Sequence, residues 1–417
     1  NGKEKIFLSQ EKKINNILYI NSQSDETSPL QGSIKTLSTK GFQSSRTNNI
    51  NLNRVRVDFE PANKELADCS NKYVYRITTR IKGIVSEAGN DFKIPLFVLF
   101  RALGCVSDKD IIEKIIYQSD SDVVRKRIME LLEPSVKDGQ IVYSQKDAYK
   151  LLSLYTKQKE TINVIELIKN NFFPNYNTDN EKAFYLGYTV RNILLTRCKI
   201  YKETDRDSYA YKRIDLAGSL LLELYRELWA IFTKNVSLKI DYEYKWHFKL
   251  YNNDITNIIN NENRKKIFNP SSMNNIVKSF GAVFGTKESG RQGIIQDLNR
   301  NVMLGTLSHT RRLSYPLSGD SKSLGPRKLH NSQWGFVCPT ESPDGGNVGI
   351  INHLSIMALV SFNVSTKGIY ESLLDNGLMI LDCITNKELL DSCKIFLNGK
   401  FVGVHRDPDY MYTIMRL

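Results

Sequence analysis

The sequence predicts an α+β, multidomain protein, and three observations carry that prediction. The chain has 417 residues, which suits several domains rather than one. Its texture is β-like at both ends and helical in the middle. From about residue 263, glycine, proline, serine and arginine become frequent and regular periodicity fades.

The elements follow in order. Residues 6–8 and 17–20 are short apolar runs between polar residues, which suits strands. Residues 21–53, rich in Ser, Thr, Asn and Gly, suit loops and short exposed strands. Residues 73–81 are aromatic and β-branched at period two, the pattern of a strand. Residues 94–103 are apolar on nearly every side and should be buried. Ser107 is a helix N-cap candidate, followed by Ile111, Ile112, Ile115 and Ile116 at helical spacing. That style continues through 120–170. Residues 181–198 and 215–232 read as two long amphipathic helices separated by a turn at 205–208. Residues 319–346 should be loop-dominated, held by Trp334, Phe336 and Val337. Residues 347–417 return to short apolar β-type runs.

Composition narrows the function. The net charge of +13 favours a polyanionic partner, although such an excess also serves solubility. The six cysteines form no CxxC pair, so neither a zinc site nor a disulfide framework is legible. No apolar run reaches the ~18 residues of a membrane span. There is no initiator Met and no signal-peptide pattern, and both ends read as cut.

The chemistry concentrates between 286 and 345. From 286 to 330, eight basic residues (Lys287, Arg291, Arg300, Arg311, Arg312, Lys322, Arg327 and Lys328) face three acidic ones, Glu288, Asp297 and Asp320. Glycine allows close backbone approach and arginine recognises phosphate with a planar fork, a pairing that suits a phosphodiester. A solvated basic loop has the same composition. Ordinary enzyme sites are absent from the pattern. There is no phosphate-binding P-loop and no dinucleotide fingerprint. Ser308 and His309 are adjacent without a third triad member. Glu341 and Asp344 are too sparse for a two-metal site, and the five histidines show no ligand spacing.

Four motifs stand in order: Arg291-x-Gly293-x-x-Gln296-x-Leu298-Asn299-Arg300, Leu307-Ser308-His309-x-Arg311-Arg312, Pro326-Arg327-x-Leu329-His330, and Trp334-Gly335-x-Val337-Cys338-Pro339-x-Glu341-x-Pro343. Together they resemble the fork of the second-largest, β-type subunit of multisubunit DNA-directed RNA polymerases. Residues 94–104, 182–188, 205–218 and 398–406 resemble further stretches of that subunit. Spacing through the lobe favours the archaeal, eukaryotic and large-DNA-virus type. Asp344 stands where the family usually has Glu, and 284–288 diverge locally.

The resemblance implies an organisation: end of the protrusion at 1–16, a mixed lobe at 17–205, a helical return into the protrusion at 206–262, a loop-rich fork at 263–345, and the start of a β-rich external and hybrid-binding region at 346–417. It implies that Gln296, Asn299, His309, Arg311, Arg312 and Ser314 line the nascent RNA path, and that Arg291 is among the nucleic-acid-binding or active-centre-lining residues. The loop 316–324, carrying Lys322, would meet downstream DNA. Arg327, Glu341 and Asp344 would lie near the bridge helix and the approaching nucleotide, with the carboxylates orienting arginines. No catalytic residue and no metal ligand is expected in this chain. Mg2+ in the assembled enzyme would be held mainly by the largest subunit. The implied partners are that subunit and the other polymerase subunits, template DNA, nascent RNA and NTPs, with no membrane. The implied place is the nucleus, or host cytoplasm and virion for a large DNA virus. The alternative is a non-catalytic binding product of a split or relic polymerase gene. Away from the fork, Trp334 is expected in a core, Arg101 as a structural ion-pair partner, and Arg125 with Lys126 on a solvated face.

Overall fold

The computed structural model describes residues 4–22, 29–37, 46–56, 73–86, 89–117, 121–247, 258–268, 294–317, 319–362 and 364–416. The chain is α+β and forms two compact units, each assembled from separate stretches: 1–14 with 206–362, and 15–205 with 363–417. Among the described residues no helix is long and apolar enough to cross a membrane.

The second unit is built on an antiparallel meander of Leu18–Ser22, Leu30–Thr36, Arg46–Arg56, Tyr73–Arg80 and Ile94–Pro95. This corrects the reading of 21–53 as loops and short exposed strands: the strands there are 7 and 11 residues long and carry buried side chains. Ile34, Ile50 and Leu52 alternate inward and are fully buried. Two of the neighbouring asparagines bond across strands: Asn48 Nδ2 donates to Thr36 Oγ1 at 3.5 Å, and Asn53 Nδ2 to Thr78 Oγ1 at 2.6 Å. Cross-strand bonds of this kind let polar residues sit in a sheet interior, which composition alone cannot show.

Residues 94–103 are buried as expected, and the helix Leu96–Ala102 has no exposed face. Arg101 is structural: its guanidinium reaches Asp108 at 2.6 Å and also donates to the carbonyls of Gly139 and Val142. Arg125 pairs loosely with Asp122 at 3.8 Å, and Lys126 is exposed. The helix Asp179–Arg197 opens with a capping box between Thr178 and Glu181. It is buried nearly all round, not amphipathic, because sheet and helices pack on both its sides. Gly187 permits one such approach, since a Cβ there would lie 2.6 Å from the Lys114 carbonyl oxygen.

Residues 364–416 contain the short strands Met379–Ile380, Cys393–Leu397 and Lys400–His405. They also contain the helices Lys367–Asp375, Asn386–Asp391 and Pro408–Arg416, which the purely β reading missed. This segment joins the same unit: Tyr176 Oη accepts from the Phe401 N–H at 2.9 Å, and Lys114 Nζ donates to Asn386 Oδ1 at 2.9 Å.

In the first unit, a four-stranded sheet runs Ile351–His353, Arg312–Ser314, Ser9–Lys13, Lys212–Asp215. Lys5–Phe7 pairs separately with Ile295–Asp297. A buried ion pair, Lys212 to Glu11 at 2.7 Å, ties two strands together, and Tyr209 Oη donates to the same carboxylate at 2.7 Å. The helix expected at 215–232 runs further, Ala217–His247, and only Leu224 and Phe232 are buried on it.

Candidate nucleic-acid interface

The parallel pairing of Arg312–Ser314 with Ser9–Lys13 anchors the segment that carries the sequence motifs. The helix Met303–Thr310 delivers Ser308 and His309 to it. His309 is buried, with Nδ1 accepting from the Asn299 backbone N–H at 3.2 Å and Nε2 lying 3.1 Å from Gln296 Oε1. The accepting Nδ1 leaves the proton on Nε2, which donates to Gln296. Burial holds the imidazole below its ordinary pKa, reinforced by the positive charge of Arg312 and by His353.

A second histidine extends the chain of contacts. Arg312 Nε donates to His353 Nε2 at 3.3 Å, and His353 Nδ1 lies 3.1 Å from the Glu341 carbonyl oxygen. Ser308 Oγ donates to the Glu341 carboxylate at 2.5 Å. Gln296, Asn299 and His309 thus form one hydrogen-bonded group and Ser308, Arg312, His353 and Glu341 a second, and the adjacency of Ser308 and His309 in the chain joins the two across three of the four sequence motifs. His353 is the link that sequence reasoning missed. Its signal was the alternation Ile351, Asn352, His353, which places it on the buried face of a strand.

The arginines are largely occupied by backbone. Arg311 donates to the carbonyls of Ser355 and Ile356. Arg327 donates to four carbonyls: Gly346 at 2.6 Å, Val348 at 3.0 Å, Gly319 at 2.7 Å and Ser321 at 3.1 Å. It pins two loop segments together. Gly349, at φ +69°, lets the chain pass, because a Cβ there would lie 2.4 Å from the Arg327 carbonyl oxygen.

The other expected positions are plainly placed. Ser314 is half-buried on its strand, opposite Ile351 and Gln10. Lys322 and Lys328 are exposed. Asp344 is exposed at the start of the turn Gly345–Asn347 and makes no side-chain cap bond. Glu341 engages Ser308 and lies 3.6 Å from His353, and among the described residues no arginine pairs with it. Arg291, with residues 284–288, lies outside the described residues. Trp334 is not in a core: it is 78% exposed, and Phe336 beside it is 58% exposed. Among the described residues no group of three or more His, Cys, Asp or Glu could hold a metal ion. The residues here do not fit a magnesium centre.

Residues 70–215 match the model of RNA polymerase Rpb2, domain 2, and residues 296–360 that of RNA polymerase Rpb2, domain 3. The DNA-directed RNA polymerase II subunit RPB2 of Encephalitozoon cuniculi is 30% identical over 436 residues, covering all of this chain and 34% of that protein. The DNA-directed RNA polymerase II subunit 2 of Arabidopsis thaliana is 33% identical, covering 78% of the chain and 27% of the relative. The DNA-directed RNA polymerase subunit Rpo2 of Saccharolobus shibatae is 27% identical, covering 78% and 28%. The chain spans about a third of the length of the curated relatives it matches. The two matches include the buried helix Asp179–Arg197 of one unit and the hydrogen-bonded residues from Gln296 to His353 of the other, and the chain belongs to the family of second-largest subunits of DNA-directed RNA polymerases.

Proposed function

We propose that this chain is part of the core of a DNA-directed RNA polymerase, with its fork lining the nucleic-acid path. The observation that carries the reading is the pair of hydrogen-bonded groups, Gln296–His309–Asn299 and Ser308–Glu341–His353–Arg312, joined at the neighbouring residues Ser308 and His309. Together they brace three sequence motifs against one another. Rigidity is what a polymerase needs where a hybrid must advance stepwise without the wall deforming.

The division of labour follows from the contacts. Arg311, Arg312 and Arg327 shape the fork by holding carbonyls and a histidine. The exposed ammonium groups of Lys322 and Lys328 meet phosphate. A lysine is a point charge on a flexible stem, and its contact with a moving backbone is easily exchanged. Phosphate contacts position the strand and carry no sequence information. Gln296, Asn299, His309 and Ser314 shape the RNA side. Asp344 faces the approaching nucleotide and its neighbours in the assembled enzyme. The largest subunit supplies the magnesium centre, and template DNA, nascent RNA and NTPs are the ligands of the assembly. Its place is the nucleus in the eukaryotic case.

The test is salt-dependent binding of a DNA–RNA hybrid to the chain and to the Lys322→Ala/Lys328→Ala variant. Each lost phosphate contact lowers the logarithmic salt slope by about 1. A slope unchanged in the variant removes both lysines from the interface.

A further inference from the structure

In the second unit, two neighbouring concavities lie between the sheet and the helix Thr161–Asn171, well away in sequence from the fork motifs. The larger, about 710 Å3, is walled by Gly83, Val85, Lys157, Asn163 and Leu167. The smaller, about 390 Å3, holds Asn49, Arg80, Lys82 and Asp91. Arg46 and Asn171 border both. Their side chains are joined, Arg46 Nε donating to Asn171 Oδ1 at 3.0 Å, and Asn171 Nδ2 donates to the Lys82 carbonyl at 2.8 Å. The shared wall is thus held in place rather than being a chance gap. Gly83, at φ +104°, makes a turn that a side chain would block, since a Cβ there would meet Leu167 at 2.7 Å.

The lining is rich in donors. Arg46, Arg80, Lys82 and Lys157 stand against Asp91 and Glu166. The Nδ2 of Asn163, in the wall of the larger chamber, is buried and has no hydrogen-bond acceptor among the described residues. A buried donor without an acceptor is costly and marks a place where an acceptor belongs. The C-terminal end of the helix Thr161–Asn171 would ordinarily repel an anion. Here the Lys182 ammonium occupies the carbonyls of Ile168 at 2.9 Å and Lys169 at 3.2 Å, which removes that negative pole.

We propose that this double cleft binds a nucleotide. The phosphates lie in the smaller chamber against Arg80 and Lys82, where charge-assisted bonds are strongest. The sugar and base lie in the larger chamber, against the apolar wall of Val85 and Leu167. The amides of Asn163, Asn170 and Gln158 face the base edge. This site is separate from the fork and gives the lobe a ligand of its own. The nucleotide is either free or one unit of a strand, because both present the same phosphate and base.

The experiment is calorimetric titration of the intact chain with ATP, AMP, inorganic phosphate and a single-stranded oligothymidylate, repeated on Arg80→Ala/Lys82→Ala and on Asn163→Ala. Arg80 and Lys82 are exposed, so their removal leaves the core untouched. ATP affinity should fall about tenfold or more in the double variant. AMP should bind more weakly than ATP and lose affinity in Asn163→Ala. A free nucleotide is the ligand when ATP binds more tightly than the oligonucleotide, and a strand is the ligand when the order reverses with the same variant effects. The proposal is overturned when neither ATP nor oligonucleotide binds, or when both bind with affinities that these substitutions leave unchanged. Oligonucleotide binding that responds only to Lys322→Ala/Lys328→Ala would keep the fork reading and discard this one.

Discussion

Gln296 and His309 lie thirteen residues apart in sequence and meet at 3.1 Å, carboxamide oxygen to imidazole nitrogen. With the Asn299 N–H on the other ring nitrogen, the histidine is fixed as a neutral donor. Its lowered pKa gives a signed expectation. The unfolded chain takes up the proton at higher pH than the folded one. The stability from this group is therefore complete above about pH 6.5 and is lost as pH falls below it. Thermal melts from pH 8 to 5 should show a decline that is shallower in His309→Gln. Equal declines in the two proteins would remove His309 as the cause. Gln296→Ala should cost about 1 kcal/mol by leaving the imidazole N–H without its acceptor.

Arg327 holds four carbonyl oxygens with one planar guanidinium. A lysine cannot reproduce that fork. Both Arg327→Ala and Arg327→Lys should slow elongation in the complete enzyme and expose 319–321 to protease, with the lysine variant giving little rescue. Full rescue by lysine would show that charge alone matters there.

The Glu11–Lys212 pair is buried on both sides. Removing one partner strands a charge, so Glu11→Ala or Lys212→Ala should destabilise by about 3–5 kcal/mol. The variant Glu11→Leu/Lys212→Met should recover much of that loss in denaturant titration. If the double change is as harmful as the sum of the single ones, the ion pair is not the reason.

Lys182 is buried, and desolvation lowers its pKa to about 8. Here the protonated form is the one penalised by folding. Stability from this group should rise as pH climbs from about 8 toward the unfolded value of about 10.5. Melting temperatures of wild type and Lys182→Met, measured between pH 7 and 10, should converge or cross in that window. Parallel curves would place the titration elsewhere.

The segment 296–360 stood out in the sequence because its chemistry is local. The order of motifs, the turn glycines and the arginine density all lie within one stretch. The partners of those arginines were not legible. Arg327 reads as a phosphate ligand by residue type, yet it spends its donors on Gly319, Ser321, Gly346 and Val348, a choice that only the folded loop makes. Trp334 was expected inside because tryptophan is large and apolar, but no described element covers it.

From the sequence came the α+β, multidomain class and the motif order of a second-largest polymerase subunit. Periodicity and motif order are properties of neighbouring residues. Only the folded chain shows that the strand Leu30–Thr36 and the asparagine-rich strand Arg46–Arg56 are long and lie in one sheet, that residues 363–417 join the unit of 15–205, and that His353 links Arg312 to Glu341. Each of these depends on contacts between residues far apart in sequence. The energy that selects them comes from burial and hydrogen-bond satisfaction after the chain has closed, which no local pattern records.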